Sequence, residues 1–289
     1  MHKGGFSVKA IATLSRTQEI LDGYGFHAKK KYGQNFIIDP HIIERIVNAA
    51  QVDKETSVIE VGPGIGALSE GLCQKAKEVK AFEIDEDMVK VLKDVLASQN
   101  NFEVVHQDFL KADLSAAIHE MTGHKVKIVA NLPYYITTKL LEKIALAHQG
   151  IEEVFVMVQK DVAVKMSTST DLRDRLPLTL FLKSIADVRL CFDVPRTVFM
   201  PSPNVDSAML SIRFHKHSDL GNEFGFYQFL KCAFAARRKR LTNNLKSLSF
   251  KAPLVQLLEN RGLAEDIRAE ALSIEDLKYL YGQCTSAFF

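Results

Sequence analysis

Glu60-Val61-Gly62-Pro63-Gly64-Ile65-Gly66-Ala67-Leu68 decides the fold. It closes a β-branched run that begins at Ser57, turns on three glycines and enters a stretch with helical spacing. A strand passing through a glycine-rich turn into a helix is the first half of a βαβ unit. Outward from it, β-branched runs at 79–84, 102–105, 126–130 and 154–158 alternate with helical stretches. Such alternation predicts an α/β fold, a largely parallel sheet with helices on both faces. Runs at 189–192 and 206–214 add two strands, the last alternating well enough to be an antiparallel partner.

Upstream, a short helix is expected over 15–21, with Ser15 and Gln18 spaced as a capping box. A glycine-rich basic connector follows, and Asp39-Pro40 then opens a helix whose Ile42, Ile43, Ile46, Val47 and Ala50 recur at helical steps. Past His215 the pattern is helical only, with Phe226, Phe229, Leu230, Ala233, Phe234, Leu241, Leu245 and Leu248 three or four residues apart. Two domains are therefore expected: 1–215, carrying an N-terminal extension over 1–40, and a small all-α domain over 216–289.

Composition narrows the class. With 289 residues, 47% hydrophobic and 25% charged, the chain is long enough for more than one core. Cysteines at 73, 191, 232 and 284 form no Cys-x-x-Cys pair, so neither a zinc site nor a disulfide framework is indicated, and a reducing cytoplasm fits. No apolar run approaches the roughly 18 residues of a membrane span, and no signal-peptide core is seen. A monomer is the default expectation. The net charge of +2 hides an uneven distribution. Between Glu223 and Glu259 there is no acid, while Lys231, Arg237, Arg238, Lys239, Arg240, Lys246 and Lys251 all fall there. A basic helix over 231–246 is expected to meet RNA phosphates, which position a substrate without reading its sequence. Lys29, Lys30 and Lys31 suggest a second basic arm.

In an open parallel sheet, ligands bind at the carboxyl ends of the strands. Four positions converge there: the glycine turn with Gly62 and Gly64, Glu83, Asp108 and Asn131. Any one strand-end acid can be a helix cap, but four in register make a site. Glycines allow close backbone approach, and Glu83 stands 19 residues after Gly64, where a ribose-binding acid belongs. The spacing is Gly-x-Gly-x-Gly and acidic Glu60 begins it, which favours a cofactor with positive charge over a dinucleotide. S-adenosylmethionine has a cationic sulfonium, a ribose for Glu83 and an exocyclic amine for Asp108.

Asn131-Leu132-Pro133-Tyr134 follows the run 126–130 and joins an amide, a turn-forming proline and a flat ring. That combination can hold an exocyclic amino group: Asn131 and the Leu132 carbonyl accept its two N–H bonds while Tyr134 stacks on the base.

Taken with these, Gly33-Gln34-Asn35-Phe36, Gln107-Asp108, the segment 198–207 and the segment 234–246 occur in an order that resembles the KsgA/RsmA family of ribosomal RNA adenine N6-dimethyltransferases. The resemblance spans nearly the whole chain. It implies a Rossmann-like S-adenosylmethionine-dependent methyltransferase sheet and a helical RNA-binding tail. It further implies transfer of two methyl groups to each of two adjacent adenosines in a hairpin loop near the 3′ end of 16S rRNA in the small ribosomal subunit precursor, with S-adenosylhomocysteine as product and no metal. Dimethylation rests on the resemblance alone. Cofactor contacts carried over by it fall on Asn35, Ile37, Gly62, Glu83, Asp108 and Asn131. Departures are Ile37 where leucine is common, Lys139 where proline is common, and the stretch 167–177, so the resemblance assigns no RNA contact to that loop. Three other readings compete. A macrolide-resistance methyltransferase of 23S rRNA shares the architecture, although Gly33 and Leu132 favour the small-subunit enzyme. Intact Asn131 and Glu83 argue against a non-catalytic assembly or transcription factor. A DNA adenine methyltransferase would need a target-recognition domain that the 74-residue helical tail scarcely provides.

Overall fold

The computed structural model describes residues 10–26, 34–168 and 175–288. Its main sheet has seven strands: β2 (Thr56–Val61), β3 (Glu78–Glu83), β4 (Phe102–His106), β5 (Lys125–Asn131), β6 (Ile151–Gln159), β7 (Ala186–Val194) and β9 (Ser207–Phe214). Two short strands, β1 (Phe36–Ile37) and β8 (Phe199–Met200), pair antiparallel with each other. The order across the main sheet is β4-β3-β2-β5-β6-β9-β7. From β4 to β6 neighbours run parallel, and β9 runs antiparallel to β6, as its alternation foretold.

The chain builds β2, β3 and β4 toward one edge, then returns to lay β5 beside β2. The winding direction thus reverses between β2 and β5, where such sheets open a crevice. Every residue of β2 is buried, so this strand has no polar face. Its polar side chains are each paired: Thr56 Oγ1 donates to Asp53, Ser57 Oγ to Glu78, and Glu60 accepts from Ser69. Lys127, inside β5 and 2% exposed, is likewise satisfied by the Ala50 carbonyl at 2.8 Å and by Glu153 at 3.3 Å. A buried ammonium is tolerated only with partners of this kind.

The helices follow their capping residues. α1 (Leu14–Gly23) starts at Thr13, whose hydroxyl accepts from the Arg16 N–H, so Ser15 lies inside the helix and the Ser15–Gln18 capping box expected from sequence does not form. Asp39 caps α2 (Pro40–Ala49), with proline at its first position as expected. α3 (Ala67–Lys75), α4 (Glu86–Val95), α5 (Leu114–His119) and α6 (Thr137–Leu146) are the crossovers of the sheet, and α7 (Lys160–Ser167) follows β6. Ile46, Leu72, Leu92, Val129 and Met157 are among the side chains that close the core between these layers.

Two compact units result: the described residues up to Ala163 with Arg189–Arg213, and Val164–Val188 with the described residues from Phe214 on. The second contains α8 (Pro177–Ile185), α9 (Glu223–Ala233), α10 (Leu241–Asn244), α11 (Leu254–Glu259) and α12 (Ile274–Gln283). Segment 164–188, expected in the first domain, groups with the tail instead. The reason is α8, buried at seven of its nine positions, whose Phe181 packs on Tyr227 of α9 with ring centres 5.0 Å apart. Phe226, Phe229 and Tyr281 complete an aromatic core, with Phe226 and Tyr281 centred 5.4 Å apart.

Candidate active site

One cavity at the carboxyl ends of β2 to β5 is lined by Asn35, Ile37, Gly62, Gly64, Glu83, Asp108, Asn131, Leu132, Pro133 and Tyr134. Gly64 has φ +58°, and a Cβ there would stand 3.2 Å from the Phe36 ring, so any side chain would strain the turn and press on that ring. Its N–H points to Glu83 Oε2 at 3.4 Å, while Glu83 Oε1 accepts from the Asp85 N–H at 2.8 Å. Burial pushes the Glu83 carboxyl above its ordinary range, with only 5% of the residue exposed. Asp108 uses Oδ1 to cap the 3-10 turn Phe109–Lys111, and its side chain is half-buried beside the cavity. A strand-end acid here is both a cap and part of the lining.

Asn131 is turned by a single bond. Its Nδ2 donates to the Asn35 carbonyl at 3.4 Å, which leaves the amide oxygen as the acceptor. The Leu132 side chain is buried and its N–H is held by the Met157 carbonyl, so this residue can offer the site only its own carbonyl. Pro133 enters with φ −60°, and its carbonyl accepts from the Ile136 N–H and from Thr137 Oγ1, fixing the turn into α6. Tyr134 is half-buried, and its hydroxyl shares a 2.5 Å hydrogen bond with Ser207 Oγ at the start of β9. Burial pushes the phenol upward, so it is neutral in the physiological range. Above the turn, Ile37 is buried in β1, and Gln34 Nε2 donates to Asp85 at 3.2 Å.

Glu60 requires a correction. Sequence placed it as a negative charge facing a cationic cofactor; it does line the cavity, but it is 1% exposed, accepts from Ser69 Oγ at 2.6 Å, and its carboxyl is pushed up to about 8 by burial, with Glu83 adding repulsion. Burial therefore favours its neutral form at neutral pH. Also missed were Ile84, an apolar side chain left 45% exposed at the cavity edge, and Phe109, packed edge-on against Phe82 with centres 5.4 Å apart. Both follow a strand-end acid directly, and that adjacency was the available signal. Ser207 ends the segment 198–207, but nothing in the sequence joined it to Tyr134, 73 residues away.

Residues 25–283 match the family described as ribosomal RNA adenine dimethylase. A relative from Streptococcus thermophilus, named ribosomal RNA small subunit methyltransferase A, is 43% identical over 279 residues, covering 93% of this chain and 96% of that protein. The chain belongs to the ribosomal RNA adenine dimethylase family. A Bacillus pumilus protein of the same name is 40% identical, covering 97% of this chain and 99% of its own. Among solved structures, the 23S rRNA methyltransferase ErmE superposes with TM-score 0.66 at 25% identity, covering 87% of this chain and 100% of that one. A dimethyladenosine transferase from Plasmodium falciparum superposes with TM-score 0.70 at 23% identity, over 86% and 98% of the two chains, a likeness of fold.

Adenine dimethylases of this family use S-adenosylmethionine, and the cavity suits it. Two strand-end carboxylates, Glu83 and Asp108, present acceptors for hydroxyl and amino hydrogens, and the glycine turn leaves room that a Cβ would fill. Among the described residues no group of three or more His, Cys, Asp or Glu side chains could hold a metal ion, and no helix is long and apolar enough to cross a membrane.

The basic segment is not the continuous helix 231–246 read from sequence. α9 ends at Ala233, Arg237, Arg238 and Lys239 lie in a turn, and α10 spans only Leu241–Asn244. Asn244 Nδ2 donates to the Ala233 carbonyl at 2.7 Å and to the Ala236 carbonyl at 3.2 Å, which holds the turn shut. Arg237, Arg238, Lys239 and Arg240 are exposed on it, and Lys246 is exposed just past α10. The basic arm Lys29–Lys31 and residues 169–174 of the divergent loop lie outside the described residues. Arg175, at the end of that loop, spends its guanidinium on the Glu270 and Leu272 carbonyls at 3.0 and 2.6 Å, a structural use.

Proposed function

We propose that the chain transfers methyl groups from S-adenosylmethionine to N6 of two adjacent adenosines in a hairpin loop near the 3′ end of 16S rRNA, dimethylating each, on the precursor of the small ribosomal subunit. The observation that carries this reading is the Asn131 amide, turned by the Asn35 carbonyl so that its oxygen is an acceptor in the cavity that Glu83 and Asp108 also line. Identity of 43% to a small-subunit methyltransferase, against 25% to a 23S enzyme, favours the small subunit.

When bound, the cofactor supplies a methyl group on a cationic sulfur and leaves as S-adenosylhomocysteine. An adenine amino group is a weak nucleophile because its lone pair is drawn into the ring. Accepting its two N–H bonds at Asn131 Oδ1 and the Leu132 carbonyl favours a pyramidal nitrogen whose lone pair is free to form the new N–C bond, and a proton leaves that nitrogen after transfer. Extruding a base costs a few kcal/mol. Stacking it on Tyr134 returns roughly 1–3 kcal/mol. Alignment and preorganised polarity are therefore the main contributions of this chain. Glu83 is assigned the ribose, Asp108 the cofactor adenine, and Asn35, Ile37, Gly62, Gly64 and the Asn131 backbone the remaining cofactor contacts. Arg237, Arg238, Lys239, Arg240 and Lys246 meet RNA phosphates. The enzyme acts as a monomer in the cytoplasm and, with an activated methyl supplied by the sulfonium, has no need of a metal.

Labelled cofactor offered with small-subunit particles and, separately, with protein-free 23S rRNA tests this reading when the modified base is mapped. Label at N6 of two neighbouring 16S adenosines is expected. Label on the 23S rRNA would replace the reading with the resistance-type enzyme, and no label on either would leave a non-catalytic factor.

A further inference from the structure

Lys143 belongs to none of the motifs above, yet it links α6 to the turn that follows Asp108. It sits on α6, the helix that follows the 3-10 turn Tyr134–Ile136, and is half-buried. Its Nζ donates to the Leu110 carbonyl at 3.1 Å and to the Ala112 carbonyl at 2.6 Å, and lies 5.9 Å from the centre of the Phe109 ring. Those carbonyls belong to the exit of the short turn Phe109–Lys111, whose entrance is capped by Asp108. Carbonyls at the end of so short a turn have no partner within it, and an ammonium supplies one that also favours the negative end of its dipole.

We propose that Lys143 is a positioning residue for the cofactor: by holding the exit of the Phe109–Lys111 turn against α6, it sets the Asp108 carboxylate and the Phe109 ring at the cavity edge. The inference rests on the reading that Asp108 receives the cofactor's adenine. Without the ammonium, two carbonyls turn to water and the turn is free to shift, and with it the acceptor that meets the adenine amine. The target-base side is anchored separately, by Asn131 to Asn35 and Tyr134 to Ser207, so the loss falls on cofactor binding and not on the methyl-transfer step.

The test is a double-mutant cycle on S-adenosylhomocysteine affinity, measured by calorimetry, with Lys143→Met, Asp108→Ala and the pair. Lys143→Met is expected to bind about tenfold more weakly, a loss of about 1.4 kcal/mol. In turnover it raises the cofactor KM to a similar extent with kcat little changed. In the Asp108→Ala background the same substitution is expected to cost nothing further, since Lys143 acts through that residue. Unchanged affinity in Lys143→Met, or losses that simply add, overturn the proposal. Wild-type affinity in Asp108→Ala overturns the underlying reading and the proposal with it, whereas weak binding there beside an intact Lys143→Met overturns the proposal alone. Should Lys143→Met fail to fold, Lys143→Gln carries the same test with the same outcomes.

Discussion

The strand-end rim and the basic turn are built from opposite materials. At the rim, Glu83 and Leu132 are buried, and Asn131 and Asp108 are half-buried and pinned by named hydrogen bonds. On the turn, Arg237, Arg238, Lys239 and Arg240 are exposed, and Asn244 fixes the backbone beneath them. Preorganised groups in a low-dielectric pocket act strongly and tolerate no displacement. Exposed cations act weakly one by one, in proportion to how many phosphates they meet, and are screened by salt. The rim should therefore fail by single substitutions, and the turn only by several.

The largest effect is expected at Asn131. Asn131→Ala removes the oriented acceptor and should lower kcat by roughly 10²–10³ or more, with S-adenosylhomocysteine affinity little changed by calorimetry. Preserved turnover would show that the acceptor lies elsewhere. Glu83→Ala reverses that pattern: cofactor affinity should fall roughly 10–100-fold, the value of about 1.5–3 kcal/mol for hydrogen bonds to a charged group, and saturating cofactor should recover most of kcat. Equal losses in kcat and affinity would break the division of labour along the rim.

On the turn, Arg237→Glu, Arg238→Glu and Arg240→Glu made together should weaken RNA binding and lower the slope of log affinity against log salt by about three, roughly one per lost phosphate contact. Each single reversal should cost a fraction of that. A triple variant with wild-type slope would remove the turn from the RNA interface and with it the contrast between the two regions.

How far each region could be read from the chain follows from the same contrast. Strand periodicity and the glycine turn announced β2 to β6 and the converging positions Gly62, Glu83, Asp108 and Asn131, because a parallel sheet fixes its strand ends by topology alone. Orientation was not legible. Glu60 and Glu83 are both acids at strand ends, yet Glu60 turns inward to Ser69, and nothing in the linear spacing distinguishes them. The pairing of Phe36–Ile37 with Phe199–Met200 is two residues long, too short for any period to show. In the tail, the apolar recurrence around Phe226 to Leu248 reads as one helix, but Asn244 folds that segment back on the end of α9. Long-range hydrogen bonds of single side chains decide such breaks, and local pattern cannot supply them.

The last expected effect is read in stability and not in activity: it concerns Glu60 and shows whether the rim's burial has a thermodynamic signature. Its carboxyl is held at about 8 in the folded protein, against 4.5 when solvated, because ionising it inside the core beside Glu83 is unfavourable. The folded state therefore binds more protons than the unfolded one between those values. The stability this group contributes is fully present below about pH 4.5 and is lost as pH rises through about 8. Glu60→Gln retains an acceptor for Ser69 and cannot ionise. Its melting temperature should rise relative to wild type steadily from about pH 5 to about pH 8 and then run parallel, the difference cancelling the other titrating groups common to both proteins. A difference independent of pH would mean that Glu60 is solvated and charged in the folded protein, and the rim would then carry the negative charge that its sequence position first suggested.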